Sequence, residues 1–434
     1  MSSRPWSSWA WPQTIWYALY DAGALVWHRE NLVQRHHQGL GLLYLLGGMG
    51  LGWWAYTIAP DVLSVLRFGT VGVVQVPTRH ALLACSGVAL ITGVWGMVAA
   101  PASRLHTVGL GVNALSLVCS ILVCASMGQR LEVLGLLAQS LRLATPIALG
   151  AMAGLLCERC GVVNIGIEGM MLTAACLGFI GALYTSNAWL GLAMAILVGC
   201  VMAAVHAILA IHGSVDQIIS STVLNIFAVG ITGFLRRAVL LQNPRGAPAV
   251  FPTWPIPFVS DIPVLGQIFF RHQPLVYTTW LLVLIIHVLL FYTIWGLRTR
   301  AVGEYPRAAD TLGVHVYTIR YGNVIASGIL AGLAGAWFSL ETVGTFDDMM
   351  TGGKGFIALA AMIFGKWKPF GAFGGALLFG FVDALQIKLQ IAGVHVPYQF
   401  LSMAPYVVTM IVLAGLIGRA LPPAAVGLPY ERNA

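Results

Sequence analysis

Charge is what this sequence has least of. Asp, Glu, Lys and Arg make up only 9% of its 434 residues, against about a quarter in ordinary soluble proteins. With 58% hydrophobic residues, a water-soluble globule is excluded and a polytopic membrane protein is indicated. Cysteine is sparse too: all seven lie in or beside apolar runs and serve first as small hydrophobes. Cys157-x-x-Cys160 has no second pair or nearby histidine to complete a zinc set, and no βαβ pattern makes it a redox motif. Phosphate-gripping chemistry is missing as well, since Gly353-Lys354 and Gly365-Lys366 lack both the upstream glycine and the following Ser or Thr of a Walker A loop. There is no HExxH or GxSxG, and the histidines are dispersed. No metal site or catalytic centre is expected. The net charge of +8 is scattered over short loops, so it suits anionic lipid headgroups rather than nucleic acid.

Apolar runs and glycine are abundant. The chain holds 50 glycines, which let helices approach closely in lipid, as at Gly328-x-x-x-Gly332 and Gly371-x-x-x-Gly375. Residues 1–39 form a Trp-rich segment mixed with Arg and His, suited to the cytoplasmic bilayer surface. They lack the features of a cleaved signal peptide. Residues 40–131 follow as a block of three expected transmembrane helices, and residues 132–434 as a glycine-punctuated core with nine further candidate crossings. The expected fold is therefore all-α: a polytopic transmembrane bundle of about twelve spans, amino terminus cytoplasmic. Phe356–Ile363 is too short to cross unless Thr351–Lys366 is included, which leaves open whether 351–366 spans or is a re-entrant segment. The proline-rich run over 243–263 must lie outside the membrane, on the face opposite the polar stretch 296–321.

That polar stretch, GLRTRAVGEYPRAADTLGVHVYTIRY, is the well-charged segment between two long apolar runs. Pro306 suits the first turn of a short helix and Gly313 its end. Two readings stand: an ordinary solvated loop, or a docking helix passing force between the membrane domain and a cytosolic partner. At membrane depth, Asn164 and Glu168 fall among glycines just ahead of a clean apolar span. They mark either a helix interruption on a solute path or a cytoplasmic turn with Glu168 favouring a helix amino terminus. Asn225 and Asp383 are flanked by apolar residues, and either line a pore or are satisfied between helices. His206 and His287 read as hydrogen-bonded packing residues. Asp347, Asp348 and Thr351-Gly-Gly-Lys-Gly355 read as a solvated turn.

From Glu132 to the carboxyl terminus the sequence resembles the membrane permease subunits of ABC importers of the ribose/simple-sugar and nucleoside group, most closely those working with basic-membrane-protein-type lipoproteins. The likeness rests on GVVNIGIEGMM at 161–171, QIISSTVLNI at 217–226, RAVGEYPRAADTLGV at 300–314, SGILAGLAGA at 327–336 and GKGFIALAAMIFGKWKPFGA at 353–372. The resemblance implies that Glu304, Pro306, Arg307, Ala308 and Ala309 belong to the loop that docks on an ATP-binding subunit. It also implies a second paralogous permease, an extracytoplasmic substrate-binding (lipo)protein, and a multi-pass location in the cell (inner) membrane. ATP and Mg would be bound by the ATPase partner, with no cofactor in this chain. The function implied is a translocation path for a nucleoside or simple sugar. The 131 residues before the resemblance have no counterpart in that pattern. An ion-coupled secondary carrier, with Glu168 and Asp383 as coupling carboxylates, and a membrane scaffold without transport are the rival readings.

Overall fold

A computed structural model describes residues 41–69, 72–98, 104–127, 130–242, 250–391 and 420–431, with single positions at 39, 399, 403, 406 and 410. The Trp-rich start and the last expected crossing, 399–418, otherwise lie outside the described residues. By contact the chain forms two compact units: Met1–Arg67 with Val73–Leu131, and Phe68–Gly72 with Glu132–Ala434. Eight described helices are long and apolar enough to cross a membrane, one in the first unit and seven in the second.

The first unit holds helix α1 (residues 41–57), strands β1 (Leu63–Phe68) and β2 (Gly72–Pro77), and helices α2 (Thr78–Val98) and α3 (Arg104–Ala125). A short strand β3 (Arg130–Glu132) completes a sheet of order β2-β1-β3. Sequence reading leaves 60–77 as a mere connection. Small hydroxyls pin the helices without costly burial: Ser86 Oγ donates to the Gly48 carbonyl (2.7 Å), and buried Ser64 Oγ donates to the Val123 carbonyl (2.8 Å). In lipid such bonds replace the hydrophobic effect as helix glue.

The second unit begins with α4 (Val133–Arg159), which is followed by the non-helical residues 161–166 and α5 (Ile167–Thr185). Next come α6 (Ala188–Ala207), continued by wide π turns at Ile208–His212, and α7 (Gln217–Leu235), continued likewise at Arg236–Leu240. Asp216 starts α7 by accepting from the Ile218 and Ile219 amides (2.9 and 3.0 Å), a side-chain cap for otherwise orphaned donors. Beyond a short β4 (Trp254–Pro255), α8 (Leu265–Phe269) and β5 (Arg271–His272) lie α9 (Pro274–Tyr292), α10 (Ile294–Glu304) and α11 (Pro306–Thr311). The unit continues with α12 (Val316–Ala336), extended by π turns over Trp337–Val343, then α13 (Lys354–Phe364) and α14 (Pro369–Ile391).

Burial separates centre from rim. The spans of α4 and α12 are 89% and 83% buried, those of α7 and α9 only 28% and 33%, so the first pair forms the axis and the second faces outward. α12 meets α6 through glycines: a Cβ at Gly199 would stand 2.2 Å from the Gly328 carbonyl oxygen and 2.9 Å from the Gly332 Cα. Any larger residue would wedge the two backbones apart.

For the segment between α12 and α14 the sequence leaves a crossing and a re-entrant loop both open. The π turns after α12 carry the chain to the end of the bundle away from α11. α13 then finishes beside Trp367, whose carbonyl accepts from Arg159 at the α11 end (2.6 and 2.9 Å). The segment thus crosses the bundle as an irregular stretch followed by a half-helix of 11 residues, about 16 Å long against a bilayer core of about 30 Å. A short apolar run cannot tell these topologies apart, because the irregular half carries no hydropathy signal.

Candidate functional site

Two helix interruptions meet inside the second unit. The first, residues 161–166, would leave backbone groups orphaned in an apolar interior. α7 supplies the missing partners from side chains four residues apart, hence on one face. Gln217 Oε1 accepts from the Val163 amide (2.6 Å) and Ser221 Oγ from the Ile165 amide (3.2 Å). Asn225 Oδ1 accepts from the Gly169 amide (2.8 Å) while its Nδ2 donates to the Ile165 carbonyl (3.2 Å). Buried His206 donates from Nε2 to the Val163 carbonyl (2.9 Å). Asn164, fully buried, closes the turn by accepting from the Gly166 amide (3.0 Å). Asn164 and Asn225 therefore brace the break, and their hydrogen-bonding capacity is spent on backbone and neighbouring sulfurs.

The second interruption precedes α13. Glu168, in the first turn of α5, reaches across to it. Its Oε1 accepts from Thr351 Oγ1 (2.6 Å) and the Gly353 amide (2.9 Å), and its Oε2 from the Gly355 amide (2.6 Å). A carboxylate at the start of α13 also complements that helix's dipole. Glycine is required here twice over. Gly353 sits at φ +78°, and a Cβ on Gly355 would lie 2.7 Å from the Glu168 backbone. Thr351–Gly355 is thus an interior clasp rather than the solvated turn the sequence suggests. Beside it, Lys354 pairs with Asp383 at 2.5 Å, the two side chains 22% and 7% exposed. Asp383 lies in the interior of the 23-residue α14, away from both ends, so the paired helix starts lie inside the bundle.

At one end of the bundle, α10 and α11 form an elbow. Tyr305 and Leu312 are 63% and 84% exposed. Arg307 and Ala308 are also exposed, Pro306 is half-buried, and Ala309 is buried and seats the helix. Gly313 at φ +81° ends α11, where the sequence predicts. Gly303 lets the elbow touch α4, since a Cβ there would be 2.2 Å from the Arg159 carbonyl oxygen. Arg159 Nε and Nη2 grip the Trp367 carbonyl, and Glu158 Oε2 accepts from Trp367 Nε1 (2.6 Å).

The tail closes this assembly, which sequence reading leaves unassigned. The Ala425 amide donates to the Gly303 carbonyl (2.9 Å), the Gly427 amide to the Gly161 carbonyl (3.2 Å), and the Ala424 amide to Glu304 Oε2 (3.2 Å). Buried Arg320 donates to the Leu428 carbonyl (3.2 Å). The elbow, the first interruption and the tail are therefore one hydrogen-bonded unit. Of the nine residues singled out from sequence, Glu304 is engaged by the tail, while Glu168 and Asp383 meet at the clasp. Lys354 and Thr351 complete the clasp, and Gln217 and Ser221 brace the first interruption; all four are overlooked as site residues. The four-residue spacing from 217 to 225 is the signal that could have found two of them.

Discontinuous helices whose starts meet inside a bundle of long apolar helices are an arrangement that membrane transport proteins use. The sequence profile described as "Branched-chain amino acid transport system / permease component" matches residues 136–417, and the chain belongs to that permease family. It is a multi-pass protein of the cell membrane. It is 38% identical over 307 residues to the "Nucleoside ABC transporter permease protein NupC" of Lactococcus lactis, covering 69% of this chain and 97% of the relative. It is 39% identical over 302 residues to the "Guanosine ABC transporter permease protein NupQ" of Bacillus subtilis, covering 67% and 94%. The "Putative glucose ABC transporter permease protein TsgC13" of Haloferax volcanii is 37% identical over 300 residues, with 64% and 91% covered. No solved structure matches.

Proposed function

We propose that this chain is the permease subunit of an ATP-driven importer, forming the translocation path for a nucleoside or simple sugar. The observation that carries the reading is the clasp: α5 and α13 both begin inside the bundle and are tied by Glu168. A helix start held inside the bundle can bring backbone to a solute path, and the 11-residue α13 is short enough to shift as a unit. The names of the similar nucleoside, guanosine and glucose permeases point to the solute class.

In this reading an ATP-binding subunit carrying ATP and Mg seats against Arg307, Ala308, Tyr305 and Leu312. Glu304, Pro306 and Ala309 hold the elbow in shape. Nucleotide-driven movement passes through Gly303 to α4, and through the tail to residues 161–166. A second paralogous permease completes the pathway and an extracytoplasmic binding (lipo)protein delivers the solute. Residues 1–39 lie at the cytoplasmic bilayer surface, residues 40–131 add spans outside the permease core of 132–434, and the whole has about twelve spans. The ion-coupled rival is weakened because Glu168 already accepts three hydrogen bonds and Asp383 is paired with Lys354.

Arg307→Glu tests the reading. We expect normal membrane insertion, loss of ATPase co-purification and at least tenfold slower ATP-dependent guanosine uptake. Wild-type uptake with the ATPase still bound would defeat it.

A further inference from the structure

At the end of the bundle remote from α11, four polar side chains are drawn together without satisfying one another. Glu341, fully buried in the π turns that extend α12, spends Oε2 on the Leu275 amide at the start of α9 (2.8 Å). Its Oε1 has no hydrogen-bond partner among the described residues, and the same is true of Gln273 Oε1 and His272 Nδ1. Gln273 donates from Nε2 to the Glu341 carbonyl (2.7 Å), leaving its own Oε1 unpaired. His272, 1% exposed, donates from Nε2 to the Ile268 carbonyl (2.6 Å). Burial holds its pKa below the ordinary value, so the ring is neutral and Nδ1 is a bare acceptor, also unpaired. Arg142 on α4 lies close enough for its charge to act on both Glu341 and His272. Its Nε is buried without a partner, and no hydrogen bond joins it to Glu341 among the described residues.

Orphaned buried polar atoms are costly, and a cluster of them in a folded protein calls for an explanation. Capping α9 explains one oxygen of Glu341. It accounts neither for the second oxygen nor for the buried, unpaired Nε of Arg142. The inventory is three acceptors, Glu341 Oε1, Gln273 Oε1 and His272 Nδ1, and one charged donor, Arg142. A ligand that offers several hydroxyl protons and one or two oxygen acceptors carries the hydrogen-bonding groups that these four lack. A sugar ring, or the ribose of a nucleoside, has that character.

We propose that Arg142, His272, Gln273 and Glu341 form a way-station for a polyhydroxylated solute, at the end of the bundle where the solute enters. The inference rests on the importer reading above and adds to it a place and a chemistry. The π turns serve this site: they rotate Glu341 out of the α-helical register and toward the start of α9, a known use of π segments at functional sites.

The test uses the assembled transporter in nanodiscs, without binding protein, and equilibrium binding of tritiated guanosine. We expect saturable binding that is competed by ribose and not by leucine. Glu341→Gln keeps an oxygen for the Leu275 amide, and Arg142→Lys keeps a positive charge. Each should weaken binding at least tenfold while the melting temperature and the ATPase rate stay at wild-type values. The inference is overturned if wild-type binding is not saturable, if both variants bind as wild type, or if leucine competes and ribose does not. Vesicle uptake separates the two claims. Rapid guanosine uptake by both variants sinks the way-station alone, whereas absence of ATP-dependent uptake of any nucleoside or sugar by the wild type sinks the importer reading.

Discussion

Glu168 concentrates more of the site's energetics than any other single side chain. It accepts three hydrogen bonds from residues more than 180 positions away in the chain, and bonds to a charged acceptor are worth about 1.5–3 kcal/mol each. Glu168→Ala should therefore lower stability by at least about 4.5 kcal/mol, three bonds at the lower figure, read as a fall in melting temperature in detergent, and transport should stop. Lys354 and Asp383 behave differently because removing one partner strands the other. Lys354→Ala should cost roughly 3–5 kcal/mol, while Lys354→Met combined with Asp383→Leu should recover most of it. A double-mutant cycle on melting in detergent checks this, and additivity would argue against a coupled pair. The sequence makes Asn164, Glu168, Asn225 and Asp383 conspicuous because polar groups at membrane depth are rare. It cannot show what each one meets. Asn225 and Ile165 are 60 residues apart and Asp383 and Lys354 are 29 apart, and hydropathy carries no information about such pairing. Glu341 is concealed for another reason. It sits just ahead of Asp347 and Asp348, so it reads as the first residue of a polar turn although the π turns bury it.

Elements with local signals are the most legible. α11 begins at Pro306 and ends before Gly313 because each residue fixes its own backbone angles. The small-residue pair Gly328 and Gly332 is weak by itself in the sequence. It gains meaning from Gly199, which the chain brings opposite only through the fold. Gly199→Leu should separate α6 from α12 and prevent accumulation of folded protein, measured by size-exclusion profile and trypsin resistance; a wild-type profile would contradict the packing described. α13 shows the limit of sequence reading. Its 11 residues are evident, but the irregular stretch that completes its crossing looks like any glycine-rich loop. The face of α7 occupies the middle ground. Gln217, Ser221 and Asn225 are regularly spaced, yet their partners are backbone amides, which no sequence pattern displays. Replacing all three by Leu should leave α7 helical and release residues 163–169, seen as faster amide exchange in that stretch.

For the whole molecule, the second unit carries the family match and both interruptions, while the first unit, with its sheet β2-β1-β3, stands outside the matched residues. Transport and ATPase assays on a chain lacking residues 1–131 should retain the coupling of the permease core. Loss of coupling would assign the first unit a part in it. The tail matters more than its sequence suggests. Removing residues 420–434 should leave insertion intact and uncouple ATP hydrolysis from uptake, since Gly161, Gly303, Glu304 and Arg320 would all lose contacts. Equal coupling ratios in the truncated and full chains would refute this.

The tail's anchorage also has a practical side. Tyr317 donates to the Tyr430 carbonyl (3.2 Å), so any fluorophore, affinity handle or fused domain attached just beyond Tyr430 emerges next to the elbow, where the proposed function would have it compete with the motor subunit. Handles placed in the described part of the proline-rich connection, 250–263, at the end of the bundle remote from α11, avoid that collision.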